Sequence, residues 1–344
     1  MQHEITQVCR LLDEKGELLE KGFSKKMLLS YHRDNIKAGS LRIKEWDYYL
    51  IYNKNYAVAL TVADNSYMGL ISASVINFSN PSEKTTSIMS FMTNGKFNLP
   101  ESSVEGDLVY EDKKVSVKFL HKRENRQLEF NMKNFNKKED LFVDLLLTNE
   151  PEESMCIATP FAGKKHHFYY NQKIVGMKAE GTVKVGELEI KFDSADSVAI
   201  LDWGRGVWTY KNTWYWGAGA QEIAGKMFGF NIGYGFGDTS SATENMVFFD
   251  GKAHKLDQVL FEIPKTENGK DDFLKPWKFT SNDKRFEMDF EPIINRHSNT
   301  NAIVISSNQN QVFGKFNGFA VLDDGTKIEV KDMIGFAEKV INKW

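Results

Sequence analysis

The window LDWGRGVWTYKNTWYWGAGA, residues 201–220, sets one acid and two bases among four tryptophans and two tyrosines. A carboxyl desolvated by tryptophan keeps its proton to higher pH, which makes Asp202 a candidate proton donor to an alkene or carbonyl. Arg205, three residues on, favours the charged form and opposes that role unless it is otherwise engaged. The same two residues also suit a plainer purpose, a buried ion pair, or a carboxylate that ties down backbone amides, where two domains meet. Around them Trp203, Trp208, Trp214 and Trp216, with Tyr210, offer flat area for a hydrophobic ligand, and their faces stabilise a cation by about 0.5 to 2 kcal/mol. Trp208 and Tyr210 share one face if that piece is extended, and so do Trp214 and Trp216. Arg205 is then the natural anchor for a polar head.

A second polar group lies in GDTSSATENMVFFDGKAHKL, residues 237–256. Glu244 and Asn245 end a polar loop directly before an apolar strand, so Glu244 is a second candidate acid and Asn245 a candidate ligand contact, beside the ordinary reading as turn residues. Asp250 and Gly251 make a hairpin turn before His254, a further candidate contact. Just upstream, in GFNIGYGFG (229–237), Phe230, Ile232, Tyr234 and Phe236 fall on one strand face and Gly229, Asn231, Gly233, Gly235 and Gly237 on the other. Glycines concentrated on one face call for a barrel corner, a close backbone or a ligand against the sheet. Tyr234, on the opposite face, is a further candidate contact.

Other chemistries lack their residues. His166 and His167 are adjacent and would point to opposite strand faces, and the remaining histidines show no HExxH or paired spacing, so no metal site is expected. GAGAQEIAG does not satisfy GxGxxG, no Walker sequence occurs, and no GxSxG elbow supports a serine hydrolase. No cofactor is called for. Lys+Arg 44 against Asp+Glu 47 gives a net charge of −3, which provides no basic field for nucleic acid or an anionic membrane. Cys9 and Cys156 are too few for a disulfide framework or a cysteine zinc site and fit a reducing compartment. The N-terminal MQHEITQVCRLLDEKGELLEKG has no apolar core of signal-peptide length, and no stretch approaches the roughly 18 apolar residues of a membrane span. A cytoplasmic protein with a small-molecule partner is expected.

The elements that must hold these residues read as β throughout. Only residues 5–38 carry helix formers, stopped at Gly16 and Gly22, so the N-terminal segment is expected to be helical or irregular. From Trp46 onward, aromatic and β-branched runs alternate with turns such as NKN, ADNS, NPSE and HKREN, the pattern of an antiparallel meander. No helical crossover recurs, which excludes doubly wound α/β folds and TIM barrels. Texture changes near 150–165 and again after the tryptophan window suggest two β domains, 1–190 and 191–344, divided somewhere in 150–200.

The segments DWGRGVWTY with WYWGAGA, then GYGFGDTSSATENMVFFDGKAHKL, QVFGKFNGF and the closing GFAEKVINKW resemble a large microbial family described as a domain of unknown function. It is related to the lipocalin-like superfamily of carotenoid 1,2-hydratase, tocopherol cyclase, AttH-type proteins and fungal pericyclase-like proteins. The resemblance implies two tandem lipocalin-like antiparallel β-barrels that bind apolar or isoprenoid-like molecules within one calyx or near the domain junction. In the enzymatic relatives an acid aided by aromatic residues protonates or orients a polyene, and Asp202 lies where they carry a tryptophan–aspartate segment. The expectation is therefore a protein that binds a hydrophobic, lipid-like molecule and assists its hydration, cyclisation or isomerisation by acid. A non-catalytic lipid or pigment carrier or sensor, and a carbohydrate-active protein with two carboxylates facing one cleft, are the alternatives.

Overall fold

The structure, a computed structural model, describes residues 2–122, 124–302 and 305–343. Two curled antiparallel sheets account for nearly all of its regular structure, each forming a lipocalin-like half-barrel. In the first, Ser82–Phe91, Met68–Asn77, Tyr56–Asp64, Ile43–Tyr52, Val198–Val207, Lys164–Val185 and Glu139–Thr148 lie side by side, with further strands beyond. In the second, Lys226–Tyr234, Lys211–Ile223, Lys327–Lys343, Ile305–Val321 and Phe286–Ala302 form the central run.

Strand alternation builds the interiors. In Asn125–Asn136, Leu128, Phe130 and Met132 point inward while Gln127, Glu129 and Asn131 do not, as period-2 geometry requires. The central strands are instead buried on both faces, Val198–Val207 over its whole length. Its Ala199, Leu201, Trp203 and Val207 enter the interior of the first half-barrel, whereas Val198 and Ile200 pack in a middle layer against the second sheet. That middle layer also takes Trp208, Trp216, Phe236, Phe313 and Phe336. Gly176, at φ +95°, forms a bulge in Lys164–Val185 between Val175 and Met177, so Val175 faces the middle layer and Met177 returns to the interior.

The structure decides one expectation and corrects another. Residues 5–38 contain no α-helix; three very short strands and the 3₁₀ turns Arg33–Asn35 and Ser40–Arg42 hold the N-terminal segment. It is the irregular alternative that holds, because Leu11, Leu12, Leu29 and Tyr31 are pinned one by one into the first half-barrel's core, which outweighs helix propensity. The chain also changes sheet later than 150–200. Val198–Val207 is paired on both edges within the first sheet and Lys211–Ile223 opens the second, so the crossing lies at 208–210. The texture change near 150–165 is a hairpin of the first sheet, Met155–Phe161 with the start of Lys164–Val185. Among the described residues no helix is long and apolar enough to cross a membrane.

A candidate active site between the sheets

Residues opposite one another on antiparallel strands share a face, and two such rows meet across the middle layer. On the first sheet the row runs Lys173, Asp202, Tyr48, Thr61, Ser72, Ser87. On the second it runs Trp216, Glu338, Gln311, Arg296. All ten line one cavity of about 560 Å³, within the range of small-molecule sites. Its apolar walls are formed by Trp46, Met68, Leu70, Tyr169, Trp208, Trp214 and Phe236. The carboxyl end is buried, while Thr85, Ser87, His297 and Ser298 form an exposed rim.

The motif DWGRG is what places the acid. Asp202, Gly204 and Gly206 face the cavity side, and Trp203 and Arg205 face away from it. A Cβ on Gly204 would run into the Trp46 indole; its absence lets Trp46 lie across the strand and stack on Tyr169, ring centroids 6.3 Å apart and planes 10° from parallel. Phe236 then meets Tyr169, Trp208 and Trp214 edge-on at 4.9, 5.4 and 5.4 Å, the geometry aromatic quadrupoles favour.

Three carboxyls border the buried end. Asp202 Oδ1 accepts from Lys173 Nζ at 2.9 Å and from Asn171 Nδ2 at 2.6 Å. Lys173 is itself held over the Trp216 ring, 3.9 Å from its centroid, so the ammonium is fixed from two sides. Glu338 accepts from Trp214 Nε1 at 2.8 Å on one oxygen and from Gln311 Nε2 at 3.2 Å on the other. Among the described residues Glu244 has far less: a single long contact, 3.4 Å, from Asn231 Nδ2 to Oε2. Burial pushes the Glu244 carboxyl above its ordinary range, with the Lys173 charge pulling the other way. Burial likewise raises Glu338, opposed chiefly by the Trp214 hydrogen bond. The Tyr48 hydroxyl is pushed up to about 12 by burial, against the pull of Arg296.

Of the candidates named from sequence, Asp202, Glu244, Trp208, Trp214 and Trp216 are brought together here. The others are not. Arg205 is no partner of Asp202: an odd spacing of three puts them on opposite faces. Its guanidinium sits in the first half-barrel, 3.0 Å from Asp47, stacked over Trp203 at 4.1 Å, and donating to the carbonyls of Trp46 and Pro100. Trp203 shares that interior. Tyr210 is exposed on the connection between sheets. Tyr234 stacks on Tyr215 at 4.4 Å beside Phe261, in the second half-barrel. Phe236 leaves the face it was expected to share with Tyr234, because the strand ends there and Gly235 and Gly237 adopt φ of +91° and +76°. Asn245 braces the loop through Gly233 N and the Asp257 carbonyl, and His254 pairs with Asp323. The glycine face is explained by close approach: a Cβ on Gly229 would meet Val175 of the other sheet at 2.9 Å, and one on Gly233 would meet Glu244 Oε1 at 2.8 Å.

Sequence reading missed Lys173, Tyr48, Arg296, Gln311 and Glu338. Two carried a signal: Lys173 is a charge directly before the apolar pair Ile174 and Val175, and Glu338 interrupts the apolar run of GFAEKVI.

Two curled sheets that share an aromatic-walled, acid-lined cavity define a tandem lipocalin-like protein with that cavity at the junction. By sequence the chain belongs, over residues 2–344, to the family described as a domain of unknown function, DUF2804. Among curated proteins no sequence match is found. In structure it is similar to a putative AttH from Nitrosomonas europaea, with TM-score 0.53 and 11% identity, over 90% of this chain and 96% of that one. It is also similar to kievitone hydratase from Nectria haematococca, with TM-score 0.52 and 10% identity, over 97% and 98% of the two chains. At these identities the likeness carries the fold and not the reaction.

Proposed function

We propose that the junction cavity binds an apolar, unsaturated small molecule and that Glu244 gives it a proton, the first step of a hydration, cyclisation or isomerisation. The observation that carries this reading is a buried carboxyl with raised pKa and one long hydrogen bond, set in the wall of an aromatic cavity. A carboxyl so placed holds its proton longer than an exposed one and loses little by releasing it to substrate. Transfer to an alkene carbon leaves a cation on the neighbouring carbon. Asp202, oriented by Lys173 and Asn171, supplies fixed negative charge close by, and the indole faces of Trp208 and Trp214 add their quadrupoles. Water addition or loss of a different proton completes the reaction, and one proton returns to Glu244. Asp202 is thus assigned to charge stabilisation and Glu244 to proton donation. That one fold neighbour is named a hydratase accords with this class of chemistry. The two free cysteines, Cys9 and Cys156, accord with a reducing, cytoplasmic setting.

The test begins with mass spectrometry of an organic extract of the purified protein, followed by incubation of the released compound, or of close unsaturated analogues, with fresh enzyme. A product altered by one water, or isomeric with the substrate, is expected from the wild type. Glu244→Gln should bind equally, by tryptophan fluorescence, and turn over about 10²- to 10⁴-fold more slowly. Tight binding with no conversion by the wild type would leave a carrier.

A further inference from the structure

Within this reading of the cavity as a ligand site, the charges are unequally matched. Lys173 is satisfied by Asp202 and by the Trp216 face. Arg296, next along the cavity from Gln311, is not: among the described residues no carboxylate oxygen lies within 4 Å of its guanidinium, and its hydrogen bond is to a hydroxyl, from Nη1 to Ser74 Oγ at 2.8 Å. Glu338 and Tyr48 feel its charge without touching it. A guanidinium carries five donors in a planar fork suited to a carboxylate or a similar oxyanion, so most of this one's capacity is unused by the protein.

The surroundings extend the pattern. Ser74 Oγ lies 2.8 Å from Thr85 Oγ1, and the Ser87 hydroxyl is 2.9 Å from that of Ser72. Ser72, Thr85 and Ser87 line the cavity with Arg296, so its outer part is walled by hydroxyls, the Arg296 cation and one acid, whereas the inner part is walled by indoles and carboxyls. Glu83, the acid at this rim, accepts from Thr85.

We infer that Arg296 is the specificity determinant of the cavity and that the ligand is an amphipathic acid: an unsaturated apolar body against the tryptophans, with a carboxylate or comparable oxyanion head held by the Arg296 fork and the neighbouring hydroxyls. The head at the outer part and the body at the inner part bring the reacting carbon, not the head, to Glu244.

A dye pair that shares one aromatic body tests this: anilinonaphthalene sulfonate, which carries the anion, and N-phenylnaphthylamine, which does not. Both are titrated by fluorescence into the wild type, Arg296→Gln and Arg296→Lys. The wild type should bind the sulfonate more tightly than the neutral dye. Arg296→Gln should weaken the sulfonate about tenfold or more, as loss of a charged hydrogen bond implies, and leave the neutral dye unchanged, which also reports that the variant is folded. Arg296→Lys should recover part of the preference. Equal binding of the two dyes by the wild type, or equal loss of both in Arg296→Gln, overturns the head-group inference while the acid-catalysis reading stands. Binding of neither dye overturns the cavity as a ligand site and this inference with it.

Discussion

At the scale of single residues, proximity in sequence and proximity in space diverge at DWGRG. Asp202 and Arg205 look like a pair, yet strand parity sends one to the cavity and the other to the first half-barrel's interior. Arg205 there answers Asp47 and Glu45, and removing one partner of a buried ion cluster costs about 3 to 5 kcal/mol. Arg205→Met should therefore lower the melting temperature sharply without changing ligand affinity; a selective loss of affinity in a stable variant would return Arg205 to the site. Lys173→Met should destabilise for the same reason, and Asp202→Asn in the same chain should recover part of the loss, measurable as coupling in a double-mutant cycle. Glu244 behaves oppositely. Its folded pKa is raised above the ordinary 4.5, so the folded state holds its proton to higher pH than the unfolded chain does. Its contribution to stability is complete below about 4.5 and is lost as pH rises through the folded value. Glu244→Gln removes that loss. Its melting temperature should fall less than the wild type's between acid and neutral pH, even though activity is lost; an unchanged slope would show that Glu244 titrates normally.

Elements decide which of these side chains meet. The in-register rows Lys173–Asp202–Tyr48 and Trp216–Glu338–Gln311–Arg296 come from strand pairing alone. Period-2 reading of one strand at a time found the shared face of Trp214 and Trp216, and it identified the all-β character and the meander. It could not find the rows, because register between strands far apart in sequence is set by turns, bulges and sheet order, none of which local alternation records. The same gap explains why Lys173 and Glu338 were missed and why Tyr234 and His254, polar and suitably placed along the chain, lie elsewhere. Gly204 tests the element directly. Gly204→Ala would drive a methyl group into the Trp46 ring, and overpacking of this kind costs about 1 to 3 kcal/mol. Ligand binding should weaken along with stability, since Trp46 lines the cavity. Retained affinity would mean that the Trp46–Tyr169 stack is dispensable.

For the molecule as a whole, the middle layer packs the two half-barrels against each other. Tyr52 of the first sheet receives a hydrogen bond from Ala220 N of the second at 2.7 Å, and Tyr48 packs against Trp216 at 6.0 Å. Thermal unfolding should show one cooperative transition, and a ligand at a hundred times its dissociation constant should shift all of it by about 2.7 kcal/mol. Two transitions, only one of them moved by ligand, would place binding inside a single half-barrel. The most direct test of the central claim is conversion of the extracted ligand in heavy water by wild type and Glu244→Gln, read by mass spectrometry. The wild type should give product with deuterium bound to carbon and Glu244→Gln should give almost none; equal deuterium incorporation by the two would contradict Glu244 as the proton donor.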